Sequence, residues 1–174
     1  MTFLYFAYGS NLLAQRIHLN NPSAKRIGIG KLNGYRLDFN GPVSTFWKGC
    51  PSTIVPDEDY VWGAVWQMNI SDLENLDKQE GVSQKLYLPF EANVTVPNVQ
   101  TLICRSYMLA NQPEKQPVLP LERRPSIAYL ETILLGAEES GLPLDYVNNL
   151  KLIPHNNVSG PKMPWSKHHN DIEL

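Results

Sequence analysis

Hydrophobic and polar positions change rhythm several times along the chain. Phe3-Leu-Tyr-Phe-Ala-Tyr8 is an unbroken apolar and aromatic run that stops at Gly9-Ser10-Asn11. Such a run predicts a buried strand. Leu12, Leu13, Arg16 and Ile17 then follow helical spacing as far as Asn20-Asn21-Pro22, so a short helix is expected over 12–19. Residues 27–32 and 35–39 read as two strands around Asn33-Gly34, a strong hairpin signal. Residues 40–51 read as a loop carrying Phe46 and Trp47, with a short strand at 53–55 and a further strand at 61–68. Ser71-x-x-Glu74 matches a capping box and opens a helix over 72–80, with Gly81 placed to end it. Strands follow at 87–96 and 101–109, joined at Pro97-Asn98. The stretch 111–125, with Pro113, Pro117, Pro120 and Pro125, reads as a loop. Ile127, Leu130, Ile133, Leu134 and Ala137 form the apolar stripe of a helix over 126–140, closed by Gly141. Pro143 opens a last helix to about residue 152, and the polar stretch 154–174 reads as a mobile tail behind one domain, 1–153.

Strands and helices do not alternate strictly, and the gaps between strands are short. That order predicts an α+β fold whose antiparallel or mixed sheet closes into a small barrel. A chain of 174 residues is one domain's worth, and 43% hydrophobic residues exclude global disorder. The net charge of −2 argues against a dedicated nucleic-acid binder and against a polybasic membrane module. Cys50 and Cys104 cannot build a disulfide framework or a four-sulfur zinc site. The N-terminus carries no basic segment, and its apolar run is too short for a signal peptide or a membrane span. The expectation is a cytoplasmic protein with reduced thiols and with Asn69, Asn93 and Asn157 unglycosylated.

No P-loop, dinucleotide fingerprint, nucleophile elbow or zinc-protease motif occurs. His168-His169 reads as a solvated pair rather than a metal site, so chemistry without metal or cofactor is the enzymatic option that remains. Two features carry chemistry. In Tyr5-Phe-Ala-Tyr-Gly-Ser-Asn-Leu12 a strand empties through a glycine into a helix start. Unpaired N–H groups there can cradle a carboxylate or phosphate, although a plain strand–turn–helix link has the same spacing. In the helix over 72–80, Glu80 falls four residues after Leu76 and seven after Leu73, on the apolar stripe and at the negative end of the dipole. Burial and dipole both raise a carboxyl's pKa, which suits a general acid or base. A frayed, solvated helix end fits the same periodicity.

Four segments in order, Tyr5-Phe-Ala-Tyr-Gly-Ser-Asn-Leu-Leu13, Leu76-Asp-Lys-Gln-Glu-Gly-Val82, Cys104-Arg-Ser-Tyr107 and Gly136-Ala-Glu-Glu-Ser-Gly-Leu-Pro143, resemble the γ-glutamylcyclotransferase family, and Val61-Trp-Gly-Ala-Val-Trp66 fits it too. The resemblance spans roughly residues 3–152. It implies a small closed barrel with flanking helices, and formation of 5-oxoproline from a γ-glutamyl amino acid with release of the free amino acid. It implies no metal and no organic cofactor, a small-molecule γ-glutamyl substrate and often a homodimer. It makes Glu80 the general acid/base and Tyr5, Phe6, Ala7, Tyr8, Gly9, Ser10 and Asn11 the substrate cradle, with Tyr129 a substrate contact. The residues alone would make Tyr129 a partly buried helix position with a free hydroxyl.

A γ-glutamyl group carries its own nucleophile, the α-amine, which closes a five-membered lactam on the γ-carbonyl. The expected division of labour has the Gly9-Ser10-Asn11 amides gripping the α-carboxylate and Glu80 moving the proton. Branches of the family that act on γ-glutamyl amines or on glutathione tend to carry Leu where this chain has Asn11, which favours the γ-glutamyl amino acid branch. A non-catalytic binding protein using the same pocket is the alternative outside the enzyme class. Trp165 and His168-His169 leave open a tail that docks a partner or covers the pocket, against a disordered tail.

Overall fold

The computed structural model describes residues 1–98 and 100–167. The strands β1 (Thr2–Ala7), β2 (Lys25–Phe39), β3 (Ser52–Asn69), β4 (Tyr87–Val96) and β5 (Gln100–Leu109) close into a barrel in the order β1-β3-β2-β4-β5. Neighbours pair antiparallel except β1 and β5, which run parallel with Tyr5 opposite Arg105. The helices are α1 (Ala14–His18), α2 (Leu73–Gln79), α3 (Ile127–Ser140) and α4 (Leu144–Leu150). This is the α+β, mixed closed barrel with flanking helices that the order of elements implies.

Two apolar clusters explain why β1 reads as an unbroken run. One draws on every strand, with Phe6, Leu32, Val61, Val65, Val94 and Cys104, and fills the barrel. The other joins the opposite face of β1, with Tyr5 and Ala7, to Trp66, Tyr107, and helix residues such as Leu12, Leu76, Ile133 and Val147. A strand buried on both faces loses its polar alternation. Each fully buried large side chain contributes about 1.5–3 kcal/mol.

Several local signals were overridden by tertiary contacts. Asn33-Gly34 does not turn a hairpin. Gly34 (φ +85°) makes a bulge, and β2 runs on because residues on both sides of it pair with β3. For the same reason 53–55 and 61–68 are parts of one strand. The capping box is not formed: the 3-10 turn Ile70–Asp72 leads into α2, no side chain caps it, and the Asp72 carboxylate accepts instead from the Ser23 amide and hydroxyl. The first helix is split. Leu13 is extended (φ −87°, ψ 126°) between a 3-10 turn, Ser10–Leu12, and α1. Gly136 of α3 permits this, since a Cβ there would lie 2.5 Å from the Leu13 nitrogen. Ser126 caps α3 by accepting from the Tyr129 amide at 3.3 Å, and Gly141 ends it in the left-handed conformation.

The segment read as a tail begins packed. The carbonyls of Val158 and Ser159 accept from the Ile127 and Ala128 amides, both at 2.9 Å. Met163 is buried, and the Trp165 indole donates to Thr132 at 2.9 Å. Backbone acceptors that satisfy the first turn of α3 are invisible in side-chain patterning. His168 and His169 lie outside the described residues. Among the described residues, no helix is long and apolar enough to cross a membrane.

Candidate active site

The end of β1, the end of α2, the loop 40–51 and α3 surround a cavity of about 520 Å³. Strand alternation decides which residues of the expected cradle reach it. Tyr5, Tyr8, Gly9, Ser10 and Asn11 line it. Phe6 and Ala7 do not: Phe6 points into the barrel, and the short Ala7 side chain is buried in the layer between barrel and helices. Gly9 is required by close approach, because a Cβ there would meet Ser52 Oγ at 2.5 Å. The Leu12 and Leu13 amides bond back to Gly9 and Ser10. Among the described residues, the Ser10 and Asn11 amides that precede them in the turn have no acceptor. The donors therefore belong to a single 3-10 turn, not to the start of a continuous helix.

Glu80 is the residue after α2, and its amide bonds to the Leu76 carbonyl at 3.0 Å. Leu76 is fully buried, so the spacing delivers Glu80 to the protein side, where it lines the cavity. Its carboxyl makes no hydrogen bond or ion pair with the described residues. It keeps some accessible surface because the cavity reaches it, yet protein surrounds it on the other sides. Burial raises its pKa to about 7, against the lowering pull of Arg16 and with a smaller upward push from Asp77. Asp77 itself is held by Arg105 in a two-pronged ion pair at 2.8 Å, and accepts from the Tyr107 hydroxyl at 2.5 Å.

Five tyrosines line the cavity, and their hydroxyl protons can be followed one by one. Tyr8 donates to the Tyr107 carbonyl at 2.6 Å, Tyr87 to the Ser52 carbonyl at 2.5 Å, and Tyr107 to Asp77. Tyr5 instead accepts, from Asn11 Nδ2 at 3.1 Å. Asn11 in turn accepts from Gln79, and Gln79 from Asn21, each at 3.2 Å. That chain turns the oxygen of Tyr5 toward the protein and leaves its proton for the cavity. Tyr129 accepts from the Ser52 amide at 2.9 Å and lies 2.8 Å from Ser52 Oγ, so its hydroxyl is bonded and not free. Burial pushes the tyrosine pKa values up, so all five are neutral donors or acceptors.

Sequence reasoning missed Arg16, Ser52, Gln79, Tyr87 and Tyr107, and placed Phe46 and Trp47 only in a loop. All seven line the cavity. Gln79 was legible in principle as the neighbour of Glu80. The others come from separate elements that only the fold brings together. Trp165, offered as a cover, sits on α3 and is not among the lining residues. Among the described residues, no group of three His, Cys, Asp or Glu side chains is placed to hold a metal ion. Among the described residues, the site thus combines a raised, unpartnered carboxyl, unpaired turn amides, one free phenol proton and the unpaired guanidinium of Arg16.

The AIG2-like family matches residues 60–150. The chain is 45% identical to the gamma-glutamylcyclotransferase of Bos taurus over 163 residues, which covers 91% of this chain and 82% of that protein. It is 44% identical to the Homo sapiens protein of the same name, with the same coverage. A solved structure of a gamma-glutamyl cyclotransferase superposes with a TM-score of 0.85 at 42% identity, covering 94% of this chain and 95% of its own.

Proposed function

The chain belongs to the γ-glutamylcyclotransferase family, and from that premise we propose that it converts a γ-glutamyl amino acid into 5-oxoproline and the free amino acid, with Glu80 moving the proton. The α-amine attacks the γ-carbonyl, the C–N bond to the leaving amino acid breaks, and the amine proton ends on the departing nitrogen. No enzyme nucleophile and no cofactor enters that balance. What supports Glu80 in the role is its carboxyl: it borders the cavity, has no partner among the described residues, and has its pKa raised by burial to about 7. A base matched to neutral pH can both take the ammonium proton and return it.

The Ser10 and Asn11 amides offer donors to the substrate's α-carboxylate. The Tyr5 proton offers a donor to the oxyanion that forms at the γ-carbonyl. Orientation contributes as well: folding the substrate into attack geometry supplies about 7–11 kcal/mol in favourable intramolecular cases. Asn11 supports the amino acid branch of the family, since its side chain is the link between Tyr5 and Gln79, a link that leucine cannot make. We read the protein as cytoplasmic, acting on a small molecule and on neither nucleic acid nor membrane, with a homodimer as the assembly that the family implies. The test is 5-oxoproline release from γ-glutamyl-alanine by wild type beside Glu80→Gln. Activity in the first and its loss in the second is expected; binding of 5-oxoproline without turnover of any γ-glutamyl compound would establish the non-catalytic alternative.

A further inference from the structure

Arg16 is the charge of the cavity to which that mechanism gives no task. It stands on α1, with its guanidinium carbon 5.4 Å from the Trp47 ring centre and 6.0 Å from that of Phe46. Its side chain makes no hydrogen bond or ion pair with the described residues, and its Nε is buried without an acceptor. Glu80 and Arg16 feel each other through space yet form no ion pair. A cation held partly out of water without an anion is unfavourable, and burial accordingly weakens the protonated form of Arg16. Two aromatic rings fix the guanidinium in place all the same, so it is preorganised for an anion that arrives with the substrate.

Which anion follows from position. The reacting end of a γ-glutamyl substrate, with its α-amine and α-carboxylate, belongs at Glu80 and the turn amides. The leaving amino acid projects away from the closing ring, toward the mouth. Phe46, one of the two rings that carry Arg16, is 49% exposed and so marks the rim, while Trp47 beneath it is buried. A second carboxylate, on the leaving amino acid, meets the guanidinium there, and its two oxygens match the planar fork. We propose that Arg16, seated on Phe46 and Trp47, binds the carboxylate of the leaving amino acid and thereby selects γ-glutamyl amino acids over γ-glutamyl amines. The inference rests on the reaction proposed above.

The experiment compares γ-glutamyl-alanine with γ-glutamyl-ethylamine, which lacks only that carboxylate, in wild type, R16M and R16K. Wild type is expected to prefer γ-glutamyl-alanine in kcat/KM. In R16M that preference shrinks about 10- to 100-fold, mostly through KM, the range expected for hydrogen bonds to a charged partner. R16K, which keeps the charge but not the fork, retains part of it. Equal losses on both substrates would assign Arg16 to the α-carboxylate and overturn the proposal, as would a wild type that shows no preference. Wild type that releases 5-oxoproline from neither compound, nor from any other γ-glutamyl substrate, would remove the proposed reaction itself. Should R16M melt below the assay temperature, R16K and the wild-type preference still decide.

Discussion

Glu80→Gln keeps the shape of the side chain at the cavity wall and removes its ability to titrate, so it separates the stability of the fold from the chemistry of the site. The folded carboxyl holds its proton to about pH 7, against an ordinary value of 4.5. Between those values the folded state binds more protons than the unfolded one, so stability falls as pH rises from 4.5 toward 7. Above 7 the whole cost of the buried charge is present, about 3 kcal/mol at 1.36 kcal/mol per pH unit. Water in the cavity screens part of it, leaving about 2 kcal/mol. Glutamine carries no such cost. Glu80→Gln should therefore melt roughly 4–8 °C above wild type at pH 8, given about 2–4 °C per kcal/mol in a chain of this size. Most of that gap should close at pH 4.5–5, where wild type holds the proton.

The same variant should lose about 10²–10⁴-fold in 5-oxoproline release, the usual contribution of general acid–base help. Thermal melts at the two pH values and one activity assay test both halves. A gap that is absent at pH 8, or equal at both pH values, would mean that the carboxylate is well solvated in the fold. A variant that is stabilised but keeps turnover would leave the burial argument standing and remove Glu80 from the mechanism.

The pH dependence of kcat/KM in wild type should rise through about pH 7 as Glu80 loses its proton and level off above it; a profile flat from pH 5.5 to 8.5 would contradict that role. Gly9→Ala puts a Cβ 2.5 Å from Ser52 Oγ and disturbs the Ser52–Tyr129 contact, so kcat/KM should drop at least about tenfold with the circular dichroism spectrum unchanged. Ending the chain after Pro154 strips the Ile127 and Ala128 amides of their acceptors and removes the Trp165–Thr132 bond. Buried donors left unpaired cost about 1–3 kcal/mol each, so the melting temperature should fall by at least about 5 °C; a truncated chain that melts with the full one would return the segment to a free tail.

What the sequence discloses depends on whether the deciding contact is local. Glu80 is legible because its two determinants, Leu73 and Leu76, lie within two turns of the same helix. The run Phe3 to Tyr8 is legible because burial on both faces leaves a one-dimensional trace. Arg16 is not: within its own helical pattern it is an ordinary polar position, and the rings that hold it come from a loop thirty residues on. The tyrosines arrive from β1, β4, β5 and α3, and no spacing rule links them. Asn33-Gly34 misleads for the converse reason. The turn signal is real and Gly34 does take positive φ, but β3 continues alongside and offers partners to both flanks, so the signal is spent on a bulge. The packed start of the supposed tail was hidden because its contribution to α3 is made by backbone carbonyls, which any residue has.

A cyclisation in which the substrate supplies its own nucleophile changes what the protein must provide. A serine or cysteine site needs a side chain activated by neighbours that hydrogen-bond to it. Here the opposite is needed: groups that stay unsatisfied until the substrate arrives. The hydrogen-bond pattern fits that demand. Three of the five phenol protons are tied to protein acceptors, which fixes the rings as walls, while Asn11 occupies the oxygen of Tyr5 and leaves its proton to the cavity. Glu80 and Arg16 both line the cavity and are unpaired among the described residues; in the reaction proposed above, an ion pair between them would satisfy each and leave nothing to recognise an ammonium and a carboxylate. The cost of keeping two such charges apart is offset elsewhere, in a barrel whose interior is apolar from all five strands and in a helix layer anchored on Leu12, Leu76 and Ile133. On this reasoning a variant that lets the two charges meet, by shortening the distance between α1 and α2, should gain stability and lose turnover together.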